Sequence, residues 1–234
     1  MTNVANFSGS SRRTEIFTAV GIGLLILLML VMVLHHPTAR QTDPAAFIDS
    51  IARQASANRL VHGILAAAMT LMTSLMLGFA ARLGLMRPHI LLGAVSSALA
   101  LVLICLAVTL DGFVVPTLAM RCVAIGGDCA RETQTLLRFG GLQIEYMTRL
   151  GFFALAGATA LWAGDLVLGK KGARTVGVLG LISSAGQIGI LVLGGERFNP
   201  HSLGLIVAAQ AVWYLSIGAM IVLRQGPYTV NPRD

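Results

Sequence analysis

The sequence predicts an all-α fold: a polytopic transmembrane helical bundle of about six spans, forming one domain over residues 1–234. Hydrophobic residues make up 56% of the chain and charged residues only 12%, whereas roughly a quarter of a soluble domain is charged. Six apolar runs each reach the roughly 20 residues that a helix needs to cross a bilayer. The predicted spans are residues 16–34, 60–81, 90–115, 143–168, 175–193 and 203–223.

A short amphipathic helix is expected between the first two spans, on the outer side of the membrane. Asp43 is a good N-cap, and Pro44 suits the first helical position that follows it. From Phe47 to Ala55, apolar residues recur at helical spacing. We expect this helix to pack on the bundle at the membrane surface rather than to cross it.

Charge patterning gives an orientation. The net charge of +7 comes from Lys and Arg that flank the apolar runs, and no basic patch with interleaved aromatic residues predicts nucleic-acid binding. The connections 82–89 and 169–174 are short and basic, whereas 37–59 and 116–142 are long. The positive-inside rule therefore predicts a multi-pass membrane protein with both termini cytoplasmic.

Two cysteines support the same orientation. Cys122 and Cys129 lie in the predicted long outer loop, with two glycines between them. This spacing can close a small disulfide ring, which requires an oxidising compartment. The alternatives are two unpaired cysteines or half of a metal site.

Ionisable residues gather at the predicted outer boundary. Such residues are costly at membrane depth and indicate a functional site by default. The predicted topology places seven of them near one level: His35, His36, His62, Asp111, Glu145, Arg149 and His201.

This polar cluster has two interpretations. Glu145 and Arg149 are four residues apart, so they share a helix face and can form a structural ion pair. Alternatively, imidazoles and a carboxylate suit zinc, and a catalytic zinc keeps one position open. The candidate ligands are His35, His36, His62, Asp111 and His201. No other cofactor is predicted, because none of the five histidines lies deep in a span, where an axial haem ligand would be needed.

Other polar residues lie within the spans. Asp165 precedes Lys170 near the inner end of the fourth span, where a carboxylate can reach interfacial water. Gln187 and Gln210 lie near the middles of the last two spans, and an interhelical hydrogen bond is expected between them. Small residues four apart predict close packing of the last three spans, as in Gly180/Ser184, Ala185/Gly189, Ala160/Gly164 and Gly204/Ala208.

One segment carries a resemblance. The stretch from Leu110 to Pro116 reads LDGFVVP, and it follows a second span that opens with His62 and Gly63 and an inner hairpin at 82–88. In this layout the chain resembles small, uncharacterised six-span bacterial integral membrane proteins. The resemblance covers most of the chain and implies a six-span fold in a bacterial cytoplasmic (inner) membrane, without an assigned activity.

The sequence leaves the function open between two classes. The first is a non-enzymatic protein: a carrier of small solutes or lipids, or an accessory subunit. The second is a metal-dependent membrane hydrolase with its site at the outer leaflet. The expected partners are the lipid bilayer and either another membrane protein or a second copy of this chain. Three converging ligands would favour the enzyme, whereas a water-accessible path to Asp165 or the two glutamines would favour a carrier.

The predicted orientation can be tested with reporter fusions at Lys171 and at Gly127. We expect the fusion at Lys171 to report the cytoplasm and the fusion at Gly127 to report the opposite side, because a basic hairpin and a disulfide loop belong to different compartments. Signals from the same side would contradict the predicted number of spans between the two positions.

Overall fold

The computed structural model describes residues 12–36, 41, 43–126, 129–193 and 200–224, apart from the side chains of residues 200 and 201. These residues form helices and no strands, which confirms the predicted all-α class. The helices are α1 (Arg12–Leu34), α2 (Pro44–Arg53), α3 (Ala55–Gly84), α4 (Pro88–Thr109), α5 (Val115–Ile125), α6 (Ala130–Val167), α7 (Lys171–Leu193) and α8 (Pro200–Val222). A π-helical segment, Leu110–Val114, joins α4 to α5 without a break.

Six of the described helices are long and apolar enough to cross a membrane, when α4 is counted together with its continuation through α5. Each of them packs against the next along the chain, and α8 returns to pack against α1. The bundle is thus a closed ring of antiparallel helices. Its main core is filled by large side chains that include Phe79, Trp162 and Trp213.

The helices extend further than the apolar runs predicted. The expected outer connection at residues 116–142 is mostly helical, because α5 continues α4 and α6 begins at Ala130. Charged residues such as Arg131 lower the hydropathy of this region, although they leave its helical periodicity intact. Hydropathy predicts which residues lie within the hydrocarbon layer of the membrane. A helix can extend beyond that layer where one of its faces packs against other parts of the protein.

Helix α2 forms as predicted. The Asp43 side chain accepts a hydrogen bond from the backbone N–H of Ala46 at 2.8 Å, and Pro44 occupies the first turn. Ile48 is 2% exposed and packs with Ala119 and Leu137 in a small separate core. We call α2, α5 and the first turns of α6 the cap.

A disulfide closes the cap. Cys122 near the end of α5 and Cys129 just before α6 are bonded, with their Cα atoms 5.7 Å apart, as the spacing predicted. We call the end of the bundle that carries this bond the disulfide end. Cys105, in α4, is not part of a disulfide and is half-buried.

A polar network joins three helices in the middle of the bundle. The Gln187 Nε2 donates to the Gln210 Oε1 at 2.7 Å, which confirms the predicted bond. The Gln210 Nε2 in turn donates to the Thr159 Oγ1 at 3.2 Å. All three side chains are buried, so the bonds between them link α6, α7 and α8 inside the bundle.

Small residues create close helix contacts at some of the predicted positions. A Cβ atom added to Gly180 would lie 2.5 Å from the Trp213 ring and 2.7 Å from the Ala163 Cβ. By contrast, a Cβ at Gly164, Gly189 or Gly204 would meet no described atom within 4 Å. The sequence pattern thus identified the contact at Gly180 and was wrong about close approach at the other three glycines.

We expect Gly180→Ala to destabilise the bundle by about 1–3 kcal/mol, because the added methyl group has to displace the buried Trp213 ring. The matched control is Gly186→Ala on the same helix, where a Cβ meets nothing within 4 Å and alanine favours the helix. Thermal unfolding of both variants in detergent measures the difference. Equal midpoints would contradict the packing at Gly180.

Candidate metal centre

Three side chains from different parts of the chain converge at the disulfide end. His36 follows the last turn of α1, His62 lies in the second turn of α3, and Asp111 lies in the π segment. The His62 Nε2 lies 3.1 Å from the His36 Nε2 and 3.1 Å from the Asp111 Oδ2. The His36 Nε2 and the Asp111 Oδ2 are 3.3 Å apart. We call these three residues the triad.

The position of His62 is fixed by its own helix. Its Nδ1 lies 2.8 Å from the backbone carbonyl oxygen of Asn58, one turn earlier. Because a carbonyl oxygen only accepts, Nδ1 must carry the hydrogen, and in the neutral ring Nε2 is left with a lone pair. A backbone carbonyl that orients an imidazole in this way is a common second partner of metal-bound histidines.

Asn58 also holds the π segment in place. Its Nδ2 donates to the backbone carbonyl oxygen of Asp111 at 2.8 Å. The neighbouring residue is Gly112, where a Cβ atom would overlap the Cβ of His62. Only glycine therefore allows the π segment to approach α3 this closely, and the approach brings the Asp111 carboxylate to the imidazole. π-Helical turns of this kind are frequent at functional sites.

The triad has a buried side and an open side. The His62 side chain is 3% exposed, whereas those of His36 and Asp111 are 32% and 31% exposed. Beside Asp111 is a cavity of about 220 Å³ that lies between α2, α3, the π segment, α5 and α6. A group bound to the triad would therefore be reached from outside the core.

The triad has dimensions that suit a metal ion. Zinc binds nitrogen and oxygen ligands at about 2.0–2.2 Å, so two ligands of a tetrahedral ion lie about 3.4 Å apart. The three edges of the triad measure 3.1, 3.1 and 3.3 Å. The His36 Nε2, the His62 Nε2 and the Asp111 Oδ2 would together hold such an ion as three protein ligands.

The other candidates of the outer cluster lie elsewhere. The His35 Nδ1 donates to the backbone carbonyl oxygen of Val31 at 2.8 Å, and His35 is not part of the triad. Glu145 and Arg149 form an ion pair at 2.9 Å on one face of α6, as their spacing predicted. His201 lies in the first turn of α8, and its side chain is outside the described residues.

At the opposite end of the bundle, Asp165 is paired. The Arg87 guanidinium contacts both of its carboxylate oxygens, at 2.7 and 2.9 Å. The His89 Nε2 lies 3.0 Å from its Oδ1. These partners come from the residues that open α4, so the carboxylate is satisfied within the protein and is only 10% exposed.

Sequence reasoning missed Asn58. The second span was predicted to begin at residue 60, which placed Asn58 in a loop, whereas α3 begins at Ala55. The available signal was the four-residue interval from Asn58 to His62, which in a helix puts the carbonyl of the first residue beside the ring of the second.

The Glu145–Arg149 pair can be measured with a double-mutant cycle. We expect Glu145→Gln and Arg149→Met each to lower the unfolding midpoint in detergent, because each leaves one half-buried charge without its partner. The double variant should recover part of the loss, with a coupling of about 0.5–3 kcal/mol. Strictly additive losses would show that the pair does not stabilise the protein.

Comparison with known proteins adds no relative. No protein-family model, no curated protein and no solved structure matches the chain.

Proposed function

We propose that the chain is a metal-dependent membrane hydrolase in which His36, His62 and Asp111 hold a zinc ion at the outer boundary of a bacterial inner membrane. The observation that carries the proposal is the convergence of the three ligand atoms, with separations of 3.1–3.3 Å. Each of the three residues comes from a different element. Their meeting therefore depends on the fold and not on local spacing.

The distribution of protons supports a cation at this point. With its hydrogen on Nδ1, neutral His62 presents a lone pair to the Asp111 carboxylate, which also only accepts. Two acceptors 3.1 Å apart repel each other unless a positive charge lies between them. A metal ion satisfies all three atoms at once, whereas the metal-free alternative needs a protonated ring or a hydrogen shared from His36.

The ligand types favour zinc over magnesium and calcium. Two imidazole nitrogens and one carboxylate oxygen suit zinc, whereas magnesium and calcium prefer oxygen ligands only. Catalytic zinc sites use three protein ligands and keep one position for water or substrate. The open side of the triad, next to the cavity beside Asp111, provides such a position.

Hydrolysis is the chemistry that this layout supports. A zinc ion held by the triad would make water nucleophilic near neutral pH and would polarise the carbonyl group of the substrate. In the proposed reaction, the water oxygen bonds to the carbonyl carbon of the substrate. The bond from this carbon to its ester oxygen or amide nitrogen then breaks, and the leaving atom takes the proton that the water has lost.

The location follows from the disulfide and the positive-inside rule. The disulfide lies at the same end of the bundle as the triad, and disulfides persist outside the cytoplasm. The basic residues of the two short hairpins lie at the other end. These two arguments support a triad that faces the outer leaflet and cytoplasmic termini.

The non-enzymatic alternative stays a prediction with less support. A carrier was expected to use Asp165 or the glutamines of the last two spans. Asp165 is held by Arg87 and His89, and Gln187 and Gln210 are buried and bonded to each other. None of these groups lies in the wall of the cavity beside Asp111.

The proposal predicts stoichiometric zinc. Protein purified in detergent and equilibrated with zinc should retain about one ion per chain, and a chelator should lower its unfolding midpoint, because an ion that binds only the folded state stabilises it. We expect His62→Ala and Asp111→Asn to lose at least tenfold in zinc affinity, since each removes a ligand. Elemental analysis and a zinc-indicator titration measure both effects.

The matched control is His35→Ala. It removes an imidazole adjacent to His36 whose Nδ1 donates to Val31 instead, so zinc affinity should stay within about twofold of the parent. A parent protein without stoichiometric metal and with a chelator-insensitive midpoint would rule out the hydrolase. Equal losses in all three variants would show that zinc binds histidines nonspecifically.

A further inference from the structure

We infer that the cavity beside Asp111 holds the apolar chain of the substrate, and that this substrate is an uncharged acyl amphiphile, an ester or an amide, whose carbonyl group lies at the triad. The inference rests on the proposed hydrolase function and adds the chemical class of the substrate. It starts from the fact that Asp111 belongs both to the triad and to the wall of the cavity.

The cavity joins a polar edge to apolar walls. Asp111 and Asn58 form the edge next to the triad, whereas Phe47 and Ile51 of α2 and Ile144 of α6 contribute apolar surface. A hydrocarbon chain gains free energy from contact with such walls, and a carbonyl group attached to it would be left at the polar edge. Phe47 and Ile51 also belong to the small core of the cap, so α2 forms one wall of the cavity.

The wall of the cavity offers no cationic side chain to an anionic group. None of the described residues that line the cavity is cationic, and Asp111 carries the negative charge. A phosphate or a free carboxylate bound in the cavity, away from an ion at the triad, would meet no Lys or Arg, whereas phosphoryl groups are usually held by cationic side chains. An uncharged ester or amide has no such requirement.

A buried acceptor in the wall also points to a ligand. The Nδ2 of Asn58 is directed to the Asp111 carbonyl, which fixes the orientation of the amide because a carbonyl only accepts. The Asn58 Oδ1 is then buried without a hydrogen-bond donor. Unsatisfied acceptors of this kind are rare in folded proteins, and of the two substrate types only an amide has an N–H group that can donate to this one.

The size of the cavity sets the length of the chain. At about 220 Å³, it is smaller than the roughly 300–1,000 Å³ of pockets that enclose drug-sized ligands, so it accepts a short chain or the end of a longer one. Gly141 of α6 lines the cavity, and a Cβ there meets nothing within 4 Å. The first side-chain atom of a larger residue therefore has room at this position, and we expect the rest of that side chain to shorten the cavity.

The test uses p-nitrophenyl esters of acetate, butyrate and octanoate with zinc-loaded protein in nanodiscs. We expect Gly141→Leu to lower kcat/KM for the octanoate at least tenfold and for the acetate less than twofold, because only the longer chain needs the filled space. The matched control is Gly140→Leu: a Cβ at Gly140 also meets nothing within 4 Å, but Gly140 does not line the cavity. This variant should keep the parent's ratio of kcat/KM for the octanoate to kcat/KM for the acetate.

A second measurement does not depend on zinc or on turnover. An octanoate methyl ester with a photoreactive diazirine in its chain should label peptides from α2 and the first half of α6, less in Gly141→Leu than in Gly140→Leu. Zinc-dependent hydrolysis with equal ratios of kcat/KM for the octanoate to kcat/KM for the acetate in both variants would overturn the cavity assignment and leave the hydrolase. Labelling at the cavity without zinc-dependent hydrolysis would overturn the hydrolase, and with it the inference that the bound chain belongs to a substrate.

Discussion

The hydrocarbon core of a membrane provides no hydrogen-bond partner, so each polar group within a span has to find one inside the protein. This constraint fixes how the helices of the ring are aligned. Gln187 and Gln210 set the register of α7 against α8. Near the opposite end, Asp165 of α6 meets the guanidinium of Arg87, at the start of α4. The aromatic core then fills the space between helices whose relative positions are already set by polar contacts.

The triad is where the same constraint is met differently. The Asp111 Oδ2 lies within 3.3 Å of two imidazole nitrogens, so a protonated ring, a hydrogen from His36 or a metal ion has to lie between these atoms. The contact depends on Gly112, which lacks the Cβ that would collide with His62, and on Asn58, which bonds to the π segment. The chain thus uses an unusual backbone segment to bring a carboxylate against two imidazoles.

The parts of the structure that follow from local spacing could be predicted from the sequence. The Asp43 cap, the Glu145–Arg149 pair and the Gln187–Gln210 bond all depend on helical periodicity or depth in a span. Spacing does not decide which of two adjacent histidines joins the triad. His35 directly follows α1, and its ring bonds back to the last turn of that helix, whereas the ring of His36, one residue later, lies against His62 of α3. The helical extension through α5 could not be predicted from hydropathy either, since charged side chains lower hydropathy without ending a helix.

The closure of the ring has a consequence for the order of events during biosynthesis. Glu15 of α1 pairs with Arg224 just after α8 at 2.8 Å, across 209 positions of sequence. At synthesis rates of about 5–20 residues per second, the partner of Glu15 emerges about 10–40 s after it. During that interval the first helix waits in the membrane with its inner face exposed to lipid or to an assembly factor. The final helix therefore acts as the closing step of assembly, and a ribosome that stalls before α8 leaves an open ring with an unpaired buried acid.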